Sequence, residues 1–462
     1  MIKTRFAPSP TGYLHIGGLR TALYSYLWAK KNNGQFLLRI EDTDLKRNSK
    51  LACDEIIKAF NWVGIENADE VYFQSKRFDI YKEYIQQLLD EDKAYYCYMS
   101  KNELEELRET QRQNKQRTKY NRKYRDYEGK IPSDVKPVVR IKAPIDSYIE
   151  FNDGIKGNMR LYTEDVLDDF IIARDDGTPT YNFVVAIDDA LMGITDVIRG
   201  EDHLSNTSKQ IVIYNALDFD IPNFFHIPMI NNEAGKKLSK RDGAVNVMKY
   251  KEAGYLPEAL LNFLVRLGWS HGDQELFSMQ EMIELFNPND INKSASAYNT
   301  SKLDWINSEY IKSLPENNLL ELLKEFDLDL SSNKNKSLIL ELFKSRVNTL
   351  KEFSEEIHKL LNAPNSYNDE SIKKHINEDS IKVLKSFIEF FNIERPNTLE
   401  DYETKFKEFL KTNDLKMGKV APALRILLLG DHNSPSISSV LYILGTDEII
   451  KRSEKFFTFM EN

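Results

Sequence analysis

Between residues 2 and 60 a strand pattern, a helical pattern, a second strand pattern and a second helical pattern follow one another, and this alternation constrains the chain more than any other feature. "IKTRFA" reads as a short strand and "PSPTG" as a turn, after which Leu19, Ala22, Leu23, Tyr26 and Leu27 recur at helical spacing. "QFLLRIEDTD" is a second apolar strand that runs into Glu41, Asp42 and Asp44, and an amphipathic helix follows through Ile56, Ile57 and Phe60. Such alternation is the βαβ pattern of a parallel sheet with helical crossovers. Ligands of these sheets bind outside the carboxyl ends of the strands. His15 and the three carboxylates fall on that edge.

From about Ala94 to about Pro179 the pattern changes to a polar, basic helix and short strand-like runs such as "PVVRIKA" and "YIEFNDGIKG", which predicts an inserted α+β domain. "TYNFVVAIDDALMGITDVIRGEDH" and "FFHIPMI" then read as further buried strands, so the sheet resumes. From about Ser278 onward strand signals nearly vanish. "NLLELLKEF", "SLILELFKSRVNTLKEF", "SIKVLKSFIEFF", "KFKEFLKT" and "VAPALRILLL" are amphipathic or buried helices. The boundaries this gives are 1–93 and 180–245 for two halves of a sheet domain, 94–179 for the insertion, 246–312 for a helical region and 313–462 for an all-α region.

Composition narrows the function classes. A chain of 462 residues, 41% hydrophobic and 29% charged, has the make-up of a soluble protein with ample core. "MIKTRFAPSP" lacks the apolar stretch of a signal peptide and "RILLLG" is far too short to span a bilayer, so a cytoplasmic protein is expected. Two cysteines, Cys53 and Cys97, predict no disulfide framework. The net charge of −9 argues against a non-specific nucleic-acid coat. A selective contact is still open to "QRQNKQRTKYNRKYR", where Arg112, Lys115, Arg117, Lys119, Arg122, Lys123 and Arg125 carry no interspersed acid. Its Tyr120 and Tyr124 would be placed to stack on bases; the alternative is a solvated charged helix and loop.

A second constellation is "GKKLSKRDG", which packs Lys236, Lys237, Lys240 and Arg241 around Ser239 between two glycines. Alone it is a common kind of basic surface loop. Paired with "HIGG" it gains meaning, because a histidine, exposed N–H groups and a helix dipole can cradle phosphate oxygens while mobile lysines close on them. "PSPTGYLHIGG" resembles the HIGH signature and "KLSKR" the KMSKS signature of class I aminoacyl-tRNA synthetases. "TRFAPSPTGYLHIGGLRTALYSYLWA", "LRIEDTD", "VIRGEDH" and "GYLPEALLNFLVRLGWSHGDQE" are similar to the bacterial glutamyl-tRNA synthetases over essentially the full length.

That resemblance implies a Rossmann-like catalytic domain with an inserted acceptor-binding domain, followed by an all-α anticodon-binding region. It implies activation of glutamate by ATP with Mg²⁺, then transfer to the 3′-terminal adenosine of tRNA(Glu). His15, Lys237 and Lys240 would be catalytic. Pro8, Ser9, Thr11, Gly17, Gly18, Leu238, Ser239 and Arg241 would complete the ATP site. Arg5, Ala7, Ser9, Glu41, Tyr181 and Arg199 would hold glutamate, Arg5 on its side-chain carboxylate and Glu41 on its amino group. Asp44 would lie near the tRNA acceptor end. A form that also, or mainly, glutamylates tRNA(Gln) is the alternative, and family members are usually monomers.

One departure stands out. Many bacterial members bind zinc in the insertion through Cys-x-Cys and Cys-x-His pairs, whereas here only Cys97 of the first pair remains, with Met99 in the second position, and the later pair is Tyr124 and Asp126. One thiolate cannot build a four-ligand structural site, so no zinc is expected. Packing of Tyr95, Tyr96, Tyr98 and Tyr124 would replace it.

Overall fold

In the computed structural model the alternation at the start of the chain folds as a parallel sheet. The described residues are 1–461 except Thr11, residues 44–49, Asp134, Lys237, residues 239–245 and Ser434. Strand β1 (Lys3–Phe6) pairs in parallel with β2 (Gln35–Ile40), Arg5 opposite Leu37, and helix α1 (Ile16–Lys31) forms the crossover. Leu19, Leu23, Tyr24 and Leu27 are buried on several sides of α1, as befits a helix between a sheet and further helices. Helix α2 (Lys50–Val63) leads to β3 (Tyr72–Phe73), which extends β2 in parallel.

The sequence then runs through α3 (Phe78–Asp90), β4 (Ala94–Cys97), α4 (Lys101–Gln113) and β5 (Val138–Ile141). The hairpin β6 (Tyr148–Asp153) and β7 (Gly157–Tyr162) comes next, followed by α5 (Thr163–Val166) and β8 (Ile171–Ala173). β4, β5 and β8 form an antiparallel sheet of their own, whereas the hairpin pairs through β6 with a parallel strand further on, Asn223–Ile227, in a four-stranded sheet. Helix α6 (Tyr181–Leu191), β9 (Asp196–Gly200), α7 (Leu204–Ala216) and β10 (Asn223–Ile227) complete the second half. β9 and β10 are parallel, with Arg199 opposite His226. Lys3 N–H donates to Thr195 Oγ1 and Thr195 N–H to Lys3 O, both at 2.9 Å, and these bonds bring β9 beside β1. The carboxyl ends of β1, β2 and β9 therefore share one edge.

Met1–Tyr250 with Pro257–Leu303 make one compact unit. Lys251–Leu256 with Asp304–Asn462 make the other. The second unit is helical throughout its described residues from Glu316–Lys324 to Ile437–Glu461. Its core includes Phe353, Ile357, Phe387, Phe391, Phe406 and Leu424.

Two expectations need correction. "TYNFVVAIDDAL" is the helix α6, not a strand; Phe183, Val184, Val185, Ala186 and Ile187 are all buried, and a segment enclosed on every side shows no helical period. "SLILELFKSRVNTLKEF" is two helices, Lys336–Lys344 and Leu350–Leu361. Thr349 breaks the run by accepting from Glu352 N–H, while Asn348 N–H donates to the Glu352 carboxylate.

Candidate active site

The sheet edge gathers buried charge. Arg5, four per cent exposed, donates from Nε and Nη2 to the two oxygens of Asp189 at 3.0 and 3.2 Å. Arg39 donates from Nη1 to Asp189 at 2.7 Å and from Nη2 to Glu41 at 3.4 Å. Asp188 is held in turn by Gln74, Arg77 and Tyr81 at 2.8–2.9 Å. Burial would raise the Asp189 carboxyl, but Arg39 and Arg5 outweigh it and hold the group below its ordinary value. Glu41 goes the other way: burial pushes it up to about 7, against the pull of Arg39 and Arg5. Glu41 N–H donates to Pro8 O at 3.0 Å, which brings the loop containing Ala7, Pro8 and Ser9 alongside the end of β2.

Arg199 differs from Arg5, Arg39 and Arg77. It is six per cent exposed, yet its hydrogen bonds go to neutral groups: Nε to His226 Nε2 at 3.1 Å and Nη2 to Thr207 Oγ1 at 2.8 Å. Its Nη1 is buried with no partner among the described residues, and so is the hydroxyl of Tyr214. Burial and the neighbouring charge of Arg5 lower its pKa. Tyr181 starts α6 and its hydroxyl lies 3.2 Å from His203 Nδ1; burial and nearby Glu41 raise its pKa. Four cations, Arg5, Arg39, Arg77 and Arg199, thus meet three anions, Glu41, Asp188 and Asp189. A ligand carboxylate would find a donor in the unpaired Nη1 of Arg199, and Glu41 offers the counter-charge for an ammonium.

Sequence reading identified Arg5, Glu41, Tyr181 and Arg199, but not Arg39, Asp188, Asp189 or His226. The signal for the two aspartates was available: adjacent acids inside an apolar helix must be paired.

His15 is the N-cap of α1, its Nδ1 accepting from Gly18 N–H at 3.2 Å. A Cβ on Gly17 would lie 3.1 Å from the His15 ring, and one on Gly18 would lie 2.9 Å from Leu14. The two glycines therefore make room for the chain's own residues, a reason distinct from the approach of a phosphate. Of the second constellation, Leu238 N–H donates to Ile230 O at 3.0 Å. Lys237, Ser239, Lys240 and Arg241 lie outside the described residues, as do Thr11 and Asp44.

The basic stretch of the insertion is largely paired. Arg112 meets Glu105 and Glu109, Lys119 and Arg122 meet Glu164, Lys123 meets Glu103, and Arg125 meets Asp169. Tyr120 and Tyr124 are buried with Tyr95 and Cys97, and Tyr98 and Met99 pack on them. Neither ring is placed to stack on a base, which corrects that expectation. Cys97 Sγ instead lies 3.4 Å from the Tyr120 hydroxyl. The aromatic staple forms with Tyr120 as a member, while Tyr96 stays 47% exposed.

Comparison with known proteins gives these side chains a setting. Residues 1–305 match the family model for the catalytic domain of class I tRNA synthetases (E and Q), and residues 303–457 match an anticodon binding domain. The chain is 57% identical to glutamate–tRNA ligase 2 of Nitratiruptor sp. and 58% identical to glutamate–tRNA ligase 2 of Campylobacter concisus, each over 98% of both chains. A crystal structure of a glutamate tRNA ligase from Elizabethkingia meningosepticum, in complex with its amino acid, superimposes with a TM-score of 0.88 at 33% identity, covering 98% of each chain.

Proposed function

The chain belongs to the glutamate–tRNA ligase family of class I synthetases, and from that premise we propose how its own residues carry the reaction. The enzyme activates glutamate with ATP and passes the glutamyl group to tRNA. In the first step an oxygen of the α-carboxylate attacks the α-phosphorus, the bond to the bridging oxygen breaks, and pyrophosphate leaves. No enzyme nucleophile is required. The protein's contribution is positioning and stabilisation of developing charge.

The observation that carries the reading of the amino-acid site is the unpaired Nη1 of Arg199 beside the Arg5–Asp189–Arg39–Glu41 cluster. Arg199 with Arg5 receives the side-chain carboxylate, Glu41 the ammonium, and Ala7, Ser9 and Tyr181 line the remainder. Arg5 shares its charge with Asp189, so Arg199 supplies the uncompensated cation that favours glutamate over glutamine. His15 and the start of α1, with Pro8, Ser9, Thr11, Gly17 and Gly18, take the ATP phosphates. Lys237, Leu238, Ser239, Lys240 and Arg241 close on them. Mg²⁺ enters with ATP, bound chiefly through phosphates. Asp44 and the insertion, residues 94–179, serve the acceptor end, and the helical residues 313–462 the anticodon. The proposal is of a monomeric cytoplasmic enzyme acting on tRNA(Glu).

Charging of purified tRNA(Glu) and tRNA(Gln), side by side with labelled glutamate, tests this. Attachment to tRNA(Glu) alone is the expected result. Attachment to tRNA(Gln) would replace the tRNA assignment with the broader or duplicated form. A neutral Arg199→Gln variant is expected to raise the glutamate KM far more than the ATP KM, and an unchanged glutamate KM would remove Arg199 from the site.

A further inference from the structure

We propose that Asp153 and His226 form a buried relay that fixes the direction in which Arg199 presents its guanidinium, making both of them positioning residues for glutamate. The inference rests on the reading of Arg199 given above. Its parts come from three neighbouring strands: Asp153 ends β6, His226 lies in β10, and Arg199 is opposite His226 in β9. Asp153 is one per cent exposed and His226 and Thr207 are fully buried, so solvent exchanges with none of their bonds.

The protons in this chain have only one consistent arrangement. Arginine Nε always carries hydrogen, so His226 Nε2, 3.1 Å away, must accept. The imidazole proton is therefore on Nδ1, which donates to Asp153 Oδ2 at 2.5 Å. Thr207 closes a ring by accepting from Arg199 Nη2 at 2.8 Å, with its hydroxyl 3.1 Å from His226 Nε2. Burial and Arg199 keep the imidazole neutral despite Asp153, and a neutral ring is what this pattern needs. Two of the three terminal and side nitrogens of Arg199 are thereby tied to neutral acceptors, and Nη1 is left for a ligand. A carboxylate in place of His226 would have consumed the charge that the substrate is to meet.

Asp153 offers a nearly isosteric way to reverse the relay. Its Oδ1 accepts backbone N–H groups of Ile155 and Lys156 at 3.0 and 2.8 Å. In Asp153→Asn the amide oxygen takes over those two bonds, so the amide NH₂ faces His226 Nδ1. The ring must then accept at Nδ1 and carry its proton on Nε2, which points donor against donor at Arg199.

The test uses the full chain with ¹⁵N-histidine labelling, His226 being assigned with a His226→Gln variant. In Asp153→Asn we expect the His226 ring signals to switch from the Nδ1–H to the Nε2–H pattern. We also expect the glutamate KM in tRNA-dependent pyrophosphate exchange to rise about tenfold or more, with kcat and the ATP KM within about twofold. His226→Gln, whose side-chain oxygen can still accept from Arg199, should lie closer to the parent than His226→Leu. A switched tautomer with an unchanged glutamate KM, or no switch at all, overturns the relay. Loss of glutamate affinity in Arg199→Gln but not in Asp153→Asn rejects the relay alone, whereas an unaffected Arg199→Gln rejects the reading on which it rests.

Discussion

At the scale of single residues, Glu41 shows how a site can be built against the stability of the fold. Its carboxyl is pushed up to about 7 by burial, so the folded chain binds that proton more tightly than the unfolded one, whose ordinary value is 4.5. Stability from this group is therefore fully present at low pH and declines as pH rises from about 4.5 through about 7. Replacing Glu41 with Gln, which mimics the protonated acid, should stabilise the protein at pH 8 by up to about 3 kcal/mol and leave it nearly unchanged at pH 4. Urea unfolding at the two pH values checks the sign. Activity should move the other way: kcat/KM for glutamate is expected to fall about 10- to 100-fold in Glu41→Gln, as a charged hydrogen bond to the ammonium is lost. In the parent, kcat/KM should decline below about pH 7 as Glu41 takes up its proton. A flat profile between pH 6 and 8 would remove Glu41 from the ammonium site.

At the scale of elements, the insertion illustrates what sequence could and could not reveal. That tyrosines pack around Cys97 was legible, because Tyr95 and Tyr98 stand near it in a run rich in rings. That Tyr120 completes the staple was not, since alternating tyrosines and cations look the same whether the rings face solvent or core. Tyr120 looks exposed in the sequence because charged Lys119 and Arg122 lie close on either side; both cations pair with Glu164, more than forty residues on. The Tyr120 hydroxyl also accepts from the backbone N–H of Tyr124 at 2.8 Å. Tyr120→Phe would strand that buried donor, at a cost of about 1–3 kcal/mol. Cys97 in the native variant should then react with a thiol reagent about tenfold faster or more, while the half-buried Cys53 serves as the internal reference. Unchanged labelling of Cys97 would show that the bond does not hold the staple closed. Lys115 and Arg117 are the cations of this stretch that make no ion pair among the described residues. Replacing both with Ala is expected to reduce the salt slope of the tRNA KM by roughly one to two, whereas contacts elsewhere would leave it unaltered.

At the scale of the whole molecule, the sheet edge and the helical half were readable from periodicity, yet the division into units was not. Periodicity reports which face of an element is buried and says nothing about which core it joins. Lys251–Leu256 makes the point, because it is flanked in sequence by residues of the first unit and belongs to the second. Gly254 O accepts from Leu350 N–H at 2.9 Å, and Leu256 N–H donates to Asn307 Oδ1 at 2.8 Å. Gly254 has φ +86°, and a Cβ there would fall 2.4 Å from the backbone nitrogen of Lys351. Only glycine meets both demands. Each unit has its own buried core, so calorimetry should resolve two transitions. Glutamate with a non-hydrolysable ATP analogue should raise one of them, by mass action on the unit that holds the site. Gly254→Ala should lower the other, through more than about 2 kcal/mol of strain and overlap in the helical unit. A single transition displaced by both treatments would mean that the two cores melt as one, and that Lys251–Leu256 joins them energetically as well as in sequence.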